Sequence, residues 1–173
     1  MSMFCFQCQE TAAGKGCTKV GVCGKPADVA NLQDLLLYVV KGISFYAVKA
    51  RENGINNEFA EIYTVDSLFM TLTNVNFGKA AMLKKIKEGL RLKESLQLQL
   101  KYGGVQIDNA PDAATWNAST DEELEAKAAT VGVLSTADED IRSLRELLIY
   151  GLKGMAAYYH HAFVLGYKDS EIV

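Results

Sequence analysis

The sequence predicts an all-α protein, with helical bundles behind a cysteine-rich N-terminal loop. Three observations carry that prediction. Apolar residues recur at three- and four-residue steps through long segments, and no segment alternates as a half-buried strand would. A 23-residue stretch near the start also reappears near the end at a fixed offset.

Residues 4–25 hold four cysteines together with Gly14, Gly16, Gly21 and Gly24, and no periodic apolar face. They read as a loop that either folds around something or is disordered. Pro26 stands where a helix can open, because the N–H it lacks has no use in a first turn. Across 28–53, Leu32, Leu35, Leu36, Val39, Val40, Ile43, Tyr46, Ala47 and Ala50 form a wide apolar stripe. Gly54 then supplies a residue that adopts the left-handed conformation without penalty. A short helix is expected over 66–72. A long one is expected over 79–102, with Leu83, Ile86, Leu90 and Leu96 inward and Lys84, Lys85, Lys87, Arg91 and Lys93 outward. Gly103-Gly104 stops it. Residues 103–119, with Pro111 and the lone Trp116, read as a connection. Thr120 and Glu123 spell a capping box for a helix to about residue 131. Thr136 and Glu139 spell a second, for a helix to residue 165 with Gly166 beyond it.

Moving 32–54 by 112 positions lays it on 144–166. Nine positions are then identical: Leu32/Leu144, Leu35/Leu147, Leu36/Leu148, Tyr38/Tyr150, Lys41/Lys153, Gly42/Gly154, Tyr46/Tyr158, Ala50/Ala162 and Gly54/Gly166. A mid-helix glycine costs about 1 kcal/mol against alanine, so Gly42 and Gly154 point to a close helix crossing. The repeat predicts two similar helical bundles, the second incomplete because only eight residues follow its first helix. The expected segments are a metal-binding loop (1–25), a first bundle (26–104), a connection with a short helix (105–135) and the first helix of a cut second bundle (136–173).

Composition narrows the function classes. With 49% hydrophobic and 23% charged residues, the chain is not of the disordered class. A net charge of −3 argues against a nucleic-acid or anionic-membrane surface. No apolar run approaches the roughly 20 residues of a membrane span. Residues 1–5 lack the basic and apolar regions of a secretory leader, so a cytoplasmic location is expected.

Cys5, Cys8, Cys17 and Cys23 are all the cysteines of the chain, spaced C-x2-C-x8-C-x5-C within 19 residues. Disulfides fit poorly with a leaderless chain in a reducing compartment. A tetrahedral zinc site usually draws on two C-x2-C pairs, and only one is present. An iron–sulfur cluster needs four thiolates that need not be paired, and glycine-rich backbone can bring amides close to the sulfurs. The clustering favours the third reading.

The residues also carry a resemblance. The run Phe4-Cys5-Phe6-Gln7-Cys8-Gln9-Glu10-Thr11, then Gly16-Cys17, Cys23-Gly24-Lys25 and Asn31-Leu32-Gln33-Asp34-Leu35-Leu36, resembles the N-terminus of the hybrid cluster (prismane) proteins, the hydroxylamine reductases. Thr71-Leu72-Thr73-Asn74-Val75-Asn76-Phe77, Leu144-Arg145-Glu146-Leu147-Leu148 and Gly151-Leu152-Lys153-Gly154 are similar to that family too. The resemblance implies an all-α first domain of two three-helix bundles, with Cys5, Cys8, Cys17 and Cys23 binding a [4Fe–4S] cluster. It implies single-electron transfer from a redox donor protein to a hybrid Fe–S–O cluster held in C-terminal catalytic domains. There, hydroxylamine is reduced to ammonia and water, or nitric oxide is the substrate. Family members are around three times longer, so the chain is expected to be inactive alone and to associate with itself through the uncovered second-bundle helix. The reading from a different class is a non-catalytic iron–sulfur or zinc-binding helical docking module.

Other residues invite plainer readings. His160 and His161 are adjacent on a helix and read as half-exposed bundle residues. The tyrosine pairs at 38/150 and 46/158 read as core aromatics. Lys41 and Lys153 read as cations that lay their stems on apolar surface and keep their ammonium groups in water.

Overall fold

The computed structural model describes residues 2–169; Met1 and the end of the last expected segment, 170–173, lie outside the described residues. The described residues form six α-helices: α1 (Ala27–Glu52), α2 (Glu58–Met70), α3 (Lys79–Tyr102), α4 (Asp112–Thr115), α5 (Asp121–Ala128) and α6 (Glu139–Val164). They contain no strand, as the fold class predicted. The nearest approach to one is an isolated antiparallel bridge between Cys5 and Cys17.

α1 is the central helix. Its stripe buries Leu32, Leu35, Leu36, Val39, Ile43 and Tyr46 completely or nearly so, against Met82, Ile86, Leu96 and Leu100 of α3. α4, α5 and α2 take its remaining sides. Each fully buried Leu or Ile contributes roughly 1.5–3 kcal/mol through apolar area removed from water, so this face sustains the fold. The helix ends at the expected glycine: Gly54 has φ +75°, and the Ile55 N–H donates to the Ala50 carbonyl at 2.9 Å.

α3 has the bounds read from the sequence, with one exception to its pattern. Lys93, expected to point outward, is buried. Its Nζ donates to the Ala113 carbonyl at 3.0 Å and also to that of Trp116. These carbonyls lie where α4 ends, and a cation favours such a helix terminus. Burial pushes the Lys93 ammonium down to about 8.

α4 stands within what reads as an irregular connection, and α2 starts eight residues earlier than expected. Asn57 caps α2, its side chain accepting from the Ala60 N–H at 3.0 Å, and Glu58 and Glu61 occupy the first turn. The capping box at Thr120 and Glu123 forms with both reciprocal hydrogen bonds. The second box does not form. Asp138 caps α6 instead, accepting from the Ile141 N–H at 2.9 Å. Thr136 is drawn off by arginines: its hydroxyl accepts from Arg145 at 2.9 Å and its carbonyl from Arg142 at 3.0 Å.

The repeat reappears in the helix bounds. α6 begins and ends 112 residues after α1, since 139 − 27 and 164 − 52 both equal 112. The surroundings differ. Leu32, Leu35 and Leu36 are at most 1% exposed, whereas Leu144, Leu147 and Leu148 are 65–68% exposed. α6 packs on α2 along one side, and Tyr158, read as a core aromatic, is instead exposed. The twin glycines diverge likewise. A Cβ on Gly42 would lie 2.1 Å from the Ala113 carbonyl oxygen, while one on Gly154 would meet nothing within 4 Å. The close approach expected at Gly42 is real, but the neighbour is the backbone of α4.

Lys153 departs from its reading as well. It is buried, and its Nζ donates to the Thr71 carbonyl at the end of α2 at 3.2 Å. Lys41 is exposed, as read.

Candidate metal centre

The four cysteines lie in the loop ahead of α1, and all are free thiols. Backbone pairing fixes two of them opposite each other. The Cys5 N–H donates to the Cys17 carbonyl at 3.1 Å, the Cys17 N–H donates back at 2.8 Å, and the Met3 N–H reaches the Thr18 carbonyl at 3.2 Å. Cys17 is buried with Met3 and Ala30 in a small apolar cluster of its own. Cys5 and Cys8 are half-buried and Cys23 is exposed.

Thr11 ties the C-x-x-C turn to this clasp. Its N–H donates to the Cys8 carbonyl at 3.2 Å and its hydroxyl to the Cys5 carbonyl at 3.0 Å. Two glycines are required by contact rather than by freedom alone. A Cβ on Gly16 would strike the Phe4 ring at 2.5 Å, and one on Gly21 would crowd the Cys23 sulfur at 3.0 Å. Gly21 and Gly24 close a tight turn around Cys23, with the Gly24 N–H on the Gly21 carbonyl at 2.8 Å.

The electrostatics around the Cys17 sulfur favour thiolate. The backbone near Ala12 and the Val22 N–H, the latter 3.5 Å from the sulfur, hold the Cys17 thiol below its ordinary value; Thr11 and Lys25 add to this, and burial opposes it. The buried Lys25 ammonium lies 3.6 Å from Cys5 Sγ. Behind Cys5, a narrow cavity is walled by Phe6, Lys25, Asp34, Glu146, Tyr150 and Lys153 among others. Burial raises the Asp34 carboxyl to about 7 and pushes Lys153 down to about 8. Tyr150 meets Phe6 edge to face at 5.9 Å, and its hydroxyl is buried without a hydrogen-bond partner among the described residues.

Among the described residues, no three Cys, His, Asp or Glu side chains converge closely enough to hold one metal ion. A tetrahedral zinc site needs its thiolates at about 2.3 Å from a single ion. A polynuclear cluster spreads its thiolates over separate irons, so its ligands stand further apart. Four free thiols, a buried cation and an N–H aimed at sulfur suit an anionic, thiolate-ligated group.

Sequence reasoning missed Lys25 and Gln33 as parts of this region and read Tyr150 first as a core aromatic, with a place beside an electron path as the lesser reading. The available signal was a lysine two residues beyond the last cysteine and a polar residue inside the Leu32–Leu36 stripe. The histidines stay outside it. His160 stacks on Phe69 with centroids 4.3 Å apart and sets Nδ1 3.0 Å from Asp66 Oδ1, between α6 and α2. No helix of the described residues is long and apolar enough to cross a membrane.

Fold and site together define an all-α domain led by a thiol-rich loop. The model of the Prismane/CO dehydrogenase family matches residues 3–173, and the chain belongs to that family. It is similar to a hydroxylamine reductase of Desulfitobacterium hafniense (strain DSM 10664 / DCB-2), with 60% identity covering 99% of this chain and 32% of that protein. Hydroxylamine reductases of Clostridium novyi (strain NT) and Bacteroides thetaiotaomicron are 58% and 59% identical, again over 99% of this chain and 32% and 31% of theirs. The chain thus spans about a third of the length of the curated relatives it matches.

Proposed function

We propose that this chain is the iron–sulfur electron-transfer domain of a hydroxylamine reductase, with Cys5, Cys8, Cys17 and Cys23 as ligands of one [4Fe–4S] cluster. The observation that carries this reading is four free thiols in one glycine-shaped loop of a chain 60% identical to a hydroxylamine reductase. The bound cluster would supply reversible one-electron storage at irons that thiolates cap. The chain's own residues do the rest. The Cys5–Cys17 backbone pairing presents two ligands at a fixed separation. The Val22 N–H and the Lys25 ammonium stabilise negative sulfur. Phe4 and Phe6, with ring centroids 5.3 Å apart, flank Cys5 in sequence and place aromatic surface beside it.

In this reading electrons come from a redox donor protein and leave for a hybrid Fe–S–O cluster borne by the two-thirds of the relatives' length that this chain does not match. That cluster would supply the site at which hydroxylamine, with two electrons and two protons, gives ammonia and water. A thiolate-capped cubane offers no vacant metal position, and reduction of the N–O bond needs one. The 173 residues alone are therefore expected not to turn hydroxylamine over with reduced viologen. Chemical analysis of anaerobically purified chain tests the cluster reading. Roughly four irons and four sulfides per chain are expected. One zinc without sulfide would favour a docking module and overturn the proposal.

A further inference from the structure

Lys25 is only 2% exposed, and an ammonium taken from water costs several kcal/mol unless it is neutralised. Its partners are unusual. Nζ donates to Gln33 Oε1 at 2.7 Å and to Cys5 Sγ at 3.6 Å. Gln33 is neutral, buried to the same 2%, and held in turn by donation from its Nε2 to the Asn76 carbonyl at 3.1 Å. None of the ion pairs found among the described residues includes Lys25. Its nearby carboxyl, Asp34, is a weak counter-charge near neutral pH because burial holds it up at about 7. The Cys5 sulfur is the prospective anionic ligand in direct contact with this ammonium.

We infer that Lys25, locked by Gln33 and Asn76, is a positioning residue that raises the reduction potential of the cluster bound through Cys5. This rests on the cluster reading above. Reduction adds one electron, and the added charge spreads onto the ligand sulfurs. A fixed cation 3.6 Å from one of them stabilises the reduced form more than the oxidised form. Hydrogen bonds to cluster sulfurs act in the same direction. The electron comes from the external donor, and no atom is transferred. Rigidity is part of the device, because a mobile surface lysine would be screened by water and salt.

The test is an anaerobic redox titration of the full chain with its cluster, followed by electron paramagnetic resonance. Wild type is compared with Lys25→Met, Lys25→Arg, Gln33→Leu and Lys19→Met at matched iron and sulfide. At the wild-type midpoint, Lys25→Met should hold a reduced-to-oxidised ratio about tenfold lower, a fall of ~59 mV for one electron. Gln33→Leu, which frees the ammonium without removing it, should shift part of the way. Lys25→Arg should stay near wild type, and exposed Lys19→Met should not move. Unshifted potentials in both Lys25→Met and Gln33→Leu would overturn the inference. So would loss of the cluster from both, which would make Lys25 a requirement for assembly instead. A wild-type chain without iron and sulfide fails the cluster reading, and this inference with it. A loaded wild type with unshifted variants fails this inference alone.

Discussion

Gly42→Ala and Gly154→Ala make the same change at matched positions of two repeated helices, and opposite outcomes are expected. Each replacement recovers about 1 kcal/mol of helix propensity. At 154 the new Cβ has nothing within 4 Å, so the gain stands uncancelled. For a chain of this size it raises Tm by roughly 2–4 °C. At 42 the Cβ would lie 2.1 Å from the Ala113 oxygen and 2.7 Å from its carbonyl carbon, which is backbone and cannot rotate away. Overpacking of this sort costs about 1–3 kcal/mol. The displaced carbonyl is also the one that accepts from Lys93, and loosening a bond to a charged donor costs about 1.5–3 kcal/mol more. Less the propensity gain, Gly42→Ala should lose roughly 1.5–5 kcal/mol and melt lower by at least about 3 °C. Thermal melts followed by far-UV circular dichroism on the metal-loaded chain read both variants. Shifts of the same sign, or a Gly42→Ala protein at or above the wild-type Tm, would refute the packing argument.

Lys93 should tie stability to alkaline pH. Its folded value near 8 lies below the unfolded 10.5, so between these the unfolded chain binds the extra proton and stability rises with pH. The 2.5-unit gap corresponds to a rise of about 3 kcal/mol, and Lys93→Met should flatten it in urea titrations run from pH 7 to about 10.5. Chelation of metal should disorder the loop before α1, which has little apolar surface of its own, and leave far-UV helicity largely intact; a global loss of helix would contradict this. The exposed Leu144, Leu147 and Leu148 should drive self-association, so Leu148→Lys should lower the mass seen by light scattering at high concentration. A wild-type monomer at such concentrations would count against it.

The strongly periodic helices were legible from sequence, down to the bounds of α3 and the glycine after α1. So were the location of the thiol loop and the offset between α1 and α6. The misreadings share a cause: tertiary partners redirected residues whose local signal pointed elsewhere. Lys93 and Lys153 look like surface cations until the carbonyls of Ala113 and Thr71 arrive from distant segments. Thr136 looks like a cap until Arg142 and Arg145 claim it. α2 has apolar residues on most sides, so its start is marked by Asn57 and not by a stripe. At the site, the cysteines declare themselves by composition. Lys25 and Gln33 matter only through a chain of contacts running to Asn76, 43 positions beyond Gln33.

The unequal burial of the two repeated helices sets a timescale for their amides. α1 is enclosed by four neighbours, so its central N–H groups can reach solvent only when the whole molecule opens. Among the described residues α6 packs mainly on α2 and keeps Leu144, Leu147 and Leu148 in water, so it can lift off while the α1–α3 core stays shut. Deuterium should therefore enter the residues of α6 well before their counterparts 112 positions earlier, although the two stretches share nine residues in register.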